Sequence, residues 1–514
     1  MLRSVRNVGR LIGIARTLAR HDALFPLEML EVAPAVTLLA RLVSRRRPPG
    51  RPGERLAVAL QELGPSCIKF GQGLSTRPDL VGEEIAQDLS NLQDKLPPFR
   101  TAEARATIER ELGAPLAELF TDFEDSPVAA ASIAQVHLAA TTDGKEAAVK
   151  VLRPGIEQAF ARDLDLFYWM AELIERTQPN WRRLRPVEVV RTLAESIRLE
   201  MDLRLEAAAA SELRQNLAGD EGFRVPEVDW RRTARRVLTL ERTGGIPIDE
   251  REALVAAGHD PDALIDKVVR SFFNQVLRDG FFHADLHAGN LFVDERGDIV
   301  AVDFGIMGRL DAETRRYVAE ILLGFLNADY ERVAEVHFQA GYVPYHKSRA
   351  GFTQACRSIG EPILGRPLND ISLARLLAQL FQITEAFAME TQPQLLLLQK
   401  TMVVVEGIGR RLNPNVDMWE LARPLLESWV RETMSPEAKV REALTEGMAL
   451  AQRLPRLVAD AEAALASIAN GGVRLHPETV RAFATERDRR RGSGRAIFWG
   501  AVVLAVGVVL AALL

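Results

Sequence analysis

Two short stretches near the middle of the chain constrain its fold more than any other feature: "HADLHAGN" (283–290) and "DFG" (303–305). The residues between them form two short apolar runs around a polar turn, which predicts a strand hairpin. Asp285 stands five residues before Asn290, and Asp303 follows on the hairpin. In this order, Asp285 would orient an attacking hydroxyl group, and Asn290 and Asp303 would hold Mg²⁺ against nucleotide phosphates.

The order of these residues matches the protein-kinase signature H-R-D-L-x-x-x-N followed by D-F-G. Either motif alone is weak evidence for a kinase, because short motifs such as "DFG" also arise by chance. The two in sequence, joined by a hairpin, are specific. The alternative interpretation is an acidic turn next to a structural histidine at His283.

A lysine on a strand is expected upstream of such a loop, and "EAAVKVL" supplies Lys150. The segments "IAQVHLAAT", "DG" and "EAAVKVL" predict a strand, a tight turn and a second strand. Further along, "VPEV" (225–228) predicts a short strand, and residues 261–280 predict a helix that stops at Gly280. A strand lysine is usually a solvated edge residue. Its place before the catalytic motif favours a phosphate-binding role, as in the V-A-I-K strand of kinases.

The segment before this strand fits the spacing of a Gly-rich phosphate loop, but alanine occupies all three glycine positions (129, 131 and 134). Glycine would allow the backbone to close over phosphates with positive φ, and alanine resists that conformation. By itself the segment would be an ordinary turn or helix start; in this context it predicts an altered nucleotide lid. The candidate nucleotide-binding residues are Ala129, Ala130, Ala131, Ser132, Val136 and Lys150.

An unusual helix start is predicted earlier in the chain, at "CIKFGQGLSTRPDL" (67–80), just after a proline that suits a first helical turn. Lys69 and Gln72 are three residues apart and share one face. Gly71 and Gly73 each weaken a helix. If Lys69 is buried, it requires a carboxylate partner; a surface helix carrying a chance lysine and glutamine is the alternative.

These motifs together resemble the UbiB family of atypical kinases, which is tied to ubiquinone biosynthesis. The "KFGQ" sequence at 69–72 matches the family's KxGQ signature, and the alanine-rich loop at 129–132 is its second hallmark. Glu200-Met201-Asp202 matches its ExD motif. The resemblance is specific from about residue 55 to 310 and looser through the helical C-terminal half.

The resemblance implies an α+β, protein-kinase-like bilobal fold, mostly helical, with the KxGQ segment in an N-terminal extension folded over the cleft. Lys69 would then meet Glu200, Glu206 would pair with Lys150, and the glycines would allow close approach to the active site. ATP and Mg²⁺ are the implied cofactors. The implied catalytic set is Asp285, Lys150, Glu206, Lys69, Gln72, Glu200 and Asp202, with Asn290 and Asp303 as metal ligands.

The last nineteen residues, "AIFWGAVVLAVGVVLAALL" (496–514), carry no charge and are long enough to cross a bilayer as a helix. An arginine cluster precedes them, which predicts that the bulk of the chain stays on the cytoplasmic side. Together with the resemblance, this implies the bacterial inner membrane as the location, with a buried core helix as the alternative for 496–514. Many relatives suggest paired spans, but only one is evident. Residues 1–20 alternate arginines with aliphatic residues, which fits a helix lying on anionic lipid or a solvated helix equally well.

Charge and cysteine content exclude other classes. The net charge of −5 argues against nucleic acid as a partner, and the two cysteines argue for a reducing compartment without a zinc module. The predicted regions are 1–53 (basic amphipathic region and linker), 54–118 (KxGQ helical extension), 119–242 (kinase-like N-lobe with the ExD helices), 243–470 (kinase-like helical C-lobe), 471–495 (basic juxtamembrane linker) and 496–514 (transmembrane helix).

Three functions compete at this point. The first is a membrane-bound Mg-ATP-dependent kinase or ATPase that acts on or extracts a small lipophilic substrate; its expected partners are isoprenoid quinone precursors and quinone-biosynthesis enzymes. The second is a small-molecule phosphotransferase of the aminoglycoside or choline type. The third is a pseudokinase scaffold that organises those enzymes. No A-P-E segment follows the DFG motif at the expected distance, which argues against a peptide substrate.

Overall fold

The computed structural model describes residues 2–25, 49–75, 81–90, 92, 96–177, 185–362, 383–384, 386–389, 392–416 and 418–434. Apart from 432–434, these belong to one compact unit, Met1–Arg431. The helices of the N-terminal half are α1 (Leu2–Arg20), α2 (Pro52–Leu63), α3 (Pro65–Ser75), α4 (Glu83–Ser90), α5 (Thr101–Leu112), α6 (Leu116–Leu119), α7 (Ile156–Thr177), α8 (Pro186–Glu200) and α9 (Leu203–Asn216). Those of the C-terminal half are α10 (Arg251–Ala256), α11 (Pro261–Phe273), α12 (Ala312–Leu326), α13 (Tyr330–Gln339), α14 (Arg349–Gly360), α15 (Pro393–Leu412) and α16 (Met418–Met434).

The strands form three small sheets. They are β1 (Phe120–Phe123), β2 (Ala129–Ala130), β3 (Ala134–Thr141), β4 (Glu146–Leu152), β5 (Phe223–Arg224), β6 (Val237–Glu241), β7 (Ile246–Pro247), β8 (Phe281–His283), β9 (Leu291–Val293), β10 (Ile299–Ala301) and β11 (Met307–Arg309). A five-stranded sheet has the order β1-β3-β4-β6 with β2 also paired to β3, a four-stranded sheet the order β5-β10-β9-β7, and β11 pairs with β8. The α+β, protein-kinase-like architecture predicted from the sequence is therefore confirmed.

The largest sheet positions the predicted phosphate lysine. Side chains alternate between the faces of a strand, so the buried Val149 and Val151 lie on the opposite face of β4 from Lys150. Both valines pack against Ala104 and Ile108 of α5. The strand–turn–strand prediction for "IAQVHLAAT" and "EAAVKVL" matches β3 and β4. In the predicted strand at "VPEV" (225–228), only Val228 pairs, as an isolated bridge to Leu240, and the two-residue strand β5, Phe223–Arg224, precedes it.

The N-terminal extension is a cluster of helices packed against α7. Leu11 and Leu18 of α1 lie with Leu60 and Ile68 in one apolar cluster. Arg6 of α1 makes an ion pair with Asp165 of α7 at 2.8 Å. Leu11 and Leu18 of α1 are thus covered by protein, whereas its Val8 and Ile12 stay 40% and 51% exposed. At least one basic residue of α1 binds an acidic one on α7.

The C-lobe hairpin that carries the catalytic motifs follows a tightly terminated helix. α11 continues as a π-helix at Asn274–Asp279 and ends at Gly280, whose φ of +64° favours glycine. A Cβ at Gly280 would lie 2.5 Å from the Leu310 carbonyl oxygen, so the close pairing of β8 and β11 also requires a glycine here. The predicted end of this helix at Gly280 is confirmed.

Within the described ranges, no helix is both long enough and apolar enough to cross a bilayer. The predicted span at 496–514 and the basic linker at 471–495 lie outside those ranges.

Candidate active site

Three charged side chains from distant parts of the chain meet at the cleft. Lys150 Nζ on β4 lies 2.7 Å and 3.0 Å from the two carboxylate oxygens of Glu206 on α9. The same Nζ lies 3.2 Å from Oδ1 of Asp303, after β10. The Lys150 and Glu206 side chains are only 16% and 8% exposed, so this contact is shielded from water. The predicted pairing of Lys150 with Glu206 is confirmed.

The ionisation of this cluster follows from its charges. Burial alone would lower the pKa of Lys150, but Asp303 and Glu206 outweigh it and raise that pKa above the usual lysine range. The Lys150 ammonium holds the pKa of Asp303 well below its usual range. Burial raises the pKa of Glu206, and the nearby ammonium opposes that rise. Lys150 and Asp303 are therefore both charged at neutral pH.

Asp303 is held in an uncommon backbone conformation. Its φ is +61°, a region that residues other than glycine rarely adopt. Its Oδ1 accepts a hydrogen bond of 3.3 Å from the Gly305 amide, and the Phe304 side chain is 1% exposed. Such strain is typical of functional sites, where the surrounding structure maintains it. Here the buried Phe304 anchors the segment that aims Asp303 at Lys150.

His283 ties the catalytic loop to the hairpin. It is fully buried, and its Nδ1 accepts a hydrogen bond of 3.1 Å from the Asp285 amide. Its Nε2 faces the Val302 carbonyl oxygen at 3.4 Å. Burial lowers the pKa of His283, so the neutral ring with hydrogen on Nε2 fits both contacts. Gln275, in the π-helix, accepts a hydrogen bond of 3.0 Å from the His283 amide.

The backbone segments of the two residues predicted to hold Mg²⁺, Asn290 and Asp303, lie next to each other. Asn290 Nδ2 donates to the Asp285 carbonyl oxygen at 3.0 Å, and the Asn290 carbonyl oxygen accepts from the Val302 amide at 2.9 Å, immediately before Asp303. Asn290 is 7% exposed. One carboxylate and one amide oxygen at the edge of a nucleotide cleft fit Mg²⁺, which takes its other ligands from phosphates and water. Asp303 and Asn290 are therefore suited to the ion.

The alanine-rich loop is a tight turn between strands. Ala129 pairs with Val136 across β2 and β3, and the Ala131 amide donates to the Ala134 carbonyl oxygen at 2.8 Å. No residue from 129 to 134 has a positive φ, so alanine is accommodated without strain. Arg153 donates to the Ala131 carbonyl oxygen at 3.0 Å and 2.9 Å. This guanidinium fixes the turn from the end of β4.

The other predicted lid residues lie around this turn. Ala130 pairs with Gln135, and Ser132 is fully buried. Val136 is directly opposite Lys150 on the neighbouring strand, so the two side chains share one face of the sheet. Val136 therefore lies beside the lysine that would contact nucleotide.

The KxGQ helix makes the contact predicted for it. Lys69 Nζ on α3 lies 2.6 Å from Glu200 Oε2 at the end of α8, and the two side chains are 13% and 17% exposed. The ring of Phe70 packs on that of Phe167, with centroids 5.0 Å apart. The extension is thus attached next to the helix that carries Glu206, and the pairing of Lys69 with Glu200 is confirmed.

The glycines of this helix do not have the neighbours that were expected. A Cβ at Gly71 would lie 2.6 Å from Leu60 Cδ1 and 2.8 Å from Leu92 Cδ2, whereas one at Gly73 would come no closer than 3.9 Å, to Leu193. The expectation that Gly71 permits approach to the active site is wrong, because it permits packing within the extension. Gln72 is half-buried, and its carbonyl oxygen accepts a hydrogen bond of 2.7 Å from the Ser75 hydroxyl.

Asp202, the third residue of the ExD motif, caps a helix. Its carboxylate accepts a hydrogen bond of 3.2 Å from the Arg204 amide at the start of α9 and pairs with the Arg204 guanidinium at 2.6 Å. The hydrogen bond from the Arg204 side chain lowers the pKa of Asp202. Asp202 thereby fixes the first turn of the helix that presents Glu206.

Sequence reasoning missed Lys400. Its Nζ lies 2.8 Å from Oδ1 of Asp285, across 115 residues of chain. The surrounding sequence, "LLQKTMVV", matches no motif used to find the site. The signal available was the rarity of lysine, since Lys400 is one of eight lysines among 65 basic residues.

Comparisons with known proteins agree with this geometry. The model of the ABC1 atypical kinase-like domain matches residues 91–337, and that of the UbiB helical domain matches residues 356–417. The chain is 46% identical over 416 residues to the "Probable protein kinase UbiB" of Marinobacter nauticus, covering 80% of this chain and 76% of that protein. It is 42% identical over 515 residues to the protein of that name from Pseudomonas putida, covering 98% and 94%.

Among solved structures, the chain resembles Rv3197 from Mycobacterium tuberculosis, solved in complex with erythromycin. The TM-score is 0.52 at 25% sequence identity, and the match covers 76% of this chain and 97% of that one.

Proposed function

The chain belongs to the UbiB family of ABC1 atypical kinase-like proteins, and from that membership we propose that it binds Mg-ATP and uses it in support of ubiquinone biosynthesis. The observation that carries this proposal is the contact of Lys150 with both Glu206 and Asp303. In protein kinases the strand lysine, the helix glutamate and the DFG aspartate must all be in place for phosphoryl transfer. Here all three are in place.

Each residue has a role in this chemistry. Lys150 would bind the nucleotide phosphates, oriented by Glu206. Asn290 and Asp303 would hold Mg²⁺, which when bound neutralises charge on the phosphates. Asp285 would orient the attacking hydroxyl or water and accept its proton. The buried neutral ring of His283 keeps the Asp285 amide, and with it the loop, in register with the hairpin.

A small lipophilic acceptor fits the structure better than a peptide. The chain after Gly305 forms β11 at once, and α12 begins at Ala312, where protein kinases have a longer activation segment. The extension is attached through Lys69 and Glu200 beside the cleft. The similar Rv3197 was solved with erythromycin, a small molecule. The bacterial relatives are named "Probable protein kinase UbiB", so phosphorylation of peptides is the competing activity that the assay must test.

Turnover by the purified protein tests the proposal. ADP production should require Mg²⁺ and rise with vesicles that contain an isoprenoid quinone precursor. Asp285→Asn should keep Mg-ATP-dependent thermal stabilisation but lose turnover by about 10²–10³-fold, because it cannot accept the proton. Asp122→Asn, at an exposed position on β1, is the control.

The alternatives give different results in the same assay. A scaffold would show equal, negligible turnover in wild type and Asp285→Asn, and both would support quinone synthesis in a deletion strain. An aminoglycoside- or choline-type phosphotransferase would respond to soluble amino alcohols or aminoglycosides instead of lipid. Phosphorylated peptide in preference to lipid-stimulated turnover would contradict the small-molecule assignment.

We also place the protein at the bacterial inner membrane, with the catalytic unit on the cytoplasmic side and quinone-biosynthesis enzymes as partners. The support is the uncharged segment 496–514 with arginines before it. Deleting 496–514 should move the protein largely to the soluble fraction after a high-salt wash, because salt screens surface charge but does not extract a span. Full membrane retention after deletion and high salt would contradict this placement of the anchor.

A further inference from the structure

The carboxylate of Asp285 has a cationic partner from outside the catalytic loop. Lys400 Nζ lies 2.8 Å from Asp285 Oδ1, and His287 Nε2 lies 3.7 Å from Oδ2. The loop 283–290 itself contains no lysine or arginine. A full positive charge therefore reaches the catalytic carboxylate from α15, in the region that matches the UbiB helical domain rather than the kinase-like domain.

The position of Lys400 is fixed by the packing of its helix. The C-terminal end of α15 is held by Arg251, whose Nε donates to the Leu412 carbonyl oxygen at 2.7 Å, and by an ion pair of Arg411 with Asp249 at 2.8 Å. Lys400 is thus on a rigid element rather than on a loop. The side chains of α15 that are buried in the core are Leu398, Thr401, Val405, Ile408 and Leu412.

The contact between Lys400 and Asp285 contributes little to the stability of the fold. The Lys400 side chain is 42% exposed and that of Asp285 is 23% exposed. Ion pairs this open to water contribute little to folding. The effect of the contact is geometric and electrostatic: it holds one carboxylate oxygen in place and adds positive charge beside the point where a nucleophile would lose its proton.

We propose that Lys400 is a positioning residue for phosphoryl transfer: it orients the Asp285 carboxylate through Oδ1, so that Oδ2 is left to accept the proton of the nucleophile. The inference rests on the proposed ATP-dependent function. A preorganised cation at this point also favours the negative charge that develops during transfer. Because α15 supplies the cation, the catalytic loop is complete only when the helical region is docked on the C-lobe.

Substitutions in the full chain test this role. Lys400→Met keeps the length of the side chain without its charge, and Lys400→Arg keeps the charge. Arg410→Met is the matched control, because Arg410 lies on the same helix and pairs with Glu406 at 2.9 Å. Lys400→Met should lower kcat by about 10–100-fold while the KM for ATP and the Mg-ATP-dependent thermal shift stay within about twofold. Lys400→Arg should recover most of the loss, and Arg410→Met should behave as wild type.

Two further measurements separate positioning from structural support. In an Asp285→Asn background, Lys400→Met should cause no further loss of the residual turnover, because it acts through that carboxylate. Amide hydrogen exchange at 283–290 should be faster in Lys400→Met than in Arg410→Met, with unchanged melting temperature.

The outcomes distinguish the inference from the function on which it rests. An unchanged kcat in Lys400→Met, or an equal further loss in the Asp285→Asn background, overturns the inference while wild-type turnover upholds the function. A wild-type protein that binds Mg-ATP but never turns it over overturns both. A fall in melting temperature that accounts for the lost activity assigns Lys400 to structure and overturns the inference as well.

Discussion

Two lysine–glutamate pairs with similarly short contacts lie on consecutive helices of this molecule and serve different regions. Lys150 meets Glu206 at 2.7 Å, and Lys69 meets Glu200 at 2.6 Å. The glutamates lie on α8 and α9, which follow one another with Asp202 as the cap between them. The main difference is Asp303, which shares Lys150 at 3.2 Å.

That third group changes the chemistry of the first pair. One ammonium facing two carboxylates leaves an excess of negative charge, which a bound Mg²⁺ would neutralise. Lys69 instead joins the extension to the ExD segment, and no metal-binding role is expected of it. The same ion pair therefore serves nucleotide chemistry at Glu206 and attachment of the extension at Glu200, and the two functions should separate under mutation.

The largest difference between mutating the Lys150–Glu206 pair and mutating the Lys69–Glu200 pair is expected in nucleotide binding. Lys150→Met should abolish the stabilisation given by Mg-ATP, which is about 2.7 kcal/mol when the Mg-ATP concentration is about 100-fold above Kd. Lys69→Met should retain it, because its lysine does not face Asp303. Lys145→Met, on the same hairpin and 68% exposed, is the control. Equal loss of the shift in Lys150→Met and Lys69→Met would show that the two pairs form one nucleotide site.

The next effect concerns attachment of the extension. Lys69→Ala leaves Glu200 as a largely buried carboxylate without that partner, which should lower the free energy of unfolding by about 3 kcal/mol. Limited proteolysis should cut more readily within 49–75, while Mg-ATP still shifts the melting temperature.

A double-substitution cycle checks that contact directly. Lys69→Ala combined with Glu200→Ala should be less damaging than the sum of the single changes, since no charge is then left unpaired. Strict additivity in urea unfolding would mean that the two side chains do not interact in solution.

The lysines and the cleft residues were found from short, specific motifs in a fixed order, and the family resemblance then implied which glutamate each lysine meets. Lys150, Asp285, Asn290 and Asp303 come from a kinase signature whose spacing follows from the chemistry of Mg-nucleotide. The Lys69–Glu200 contact followed from the family resemblance, with burial of a lysine as its physical support. Local strand and helix patterns then gave β3, β4 and the helix end at Gly280 correctly.

Tertiary packing accounts for what the sequence did not predict. Lys400 reaches Asp285 from 115 residues away, and no local pattern encodes that approach. The glycine at 71 was assigned to the wrong neighbour, because its closest contacts, Leu60 and Leu92, come from separate segments. Alanine was expected to resist the positive φ of a Gly-rich loop, and the turn at 129–134 has no positive φ. The sequence did not reveal that Arg153 stabilises this turn from the end of β4.

A smaller difference in stability is expected between alanine substitutions at the two glycines of the KxGQ helix. Gly71→Ala should destabilise the extension by about 1–2 kcal/mol, because the new methyl group would displace Leu60 and Leu92. Gly73→Ala has room and should raise helix stability by up to about 1 kcal/mol. The melting temperature should fall in Gly71→Ala and rise in Gly73→Ala, while the affinity for Mg-ATP stays unchanged in both. That result would show that Gly71 matters for packing within the extension and not for the nucleotide site. A gain in stability from Gly71→Ala would contradict the close contact.

The smallest expected effect is at the nucleotide lid, and it tests whether the two regions are independent. Ala131→Gly keeps the carbonyl oxygen that Arg153 holds at 2.9 Å and 3.0 Å, so the turn should persist. Added backbone freedom should change the affinity for Mg-ATP by only a few-fold, towards tighter binding. Arg153→Met combined with Ala131→Gly should give a larger gain than either change alone, because the turn is then released. Proteolysis within 49–75 should stay at the wild-type level in all three variants, since the Lys69–Glu200 contact is untouched; faster cleavage there would mean that the lid and the extension move together.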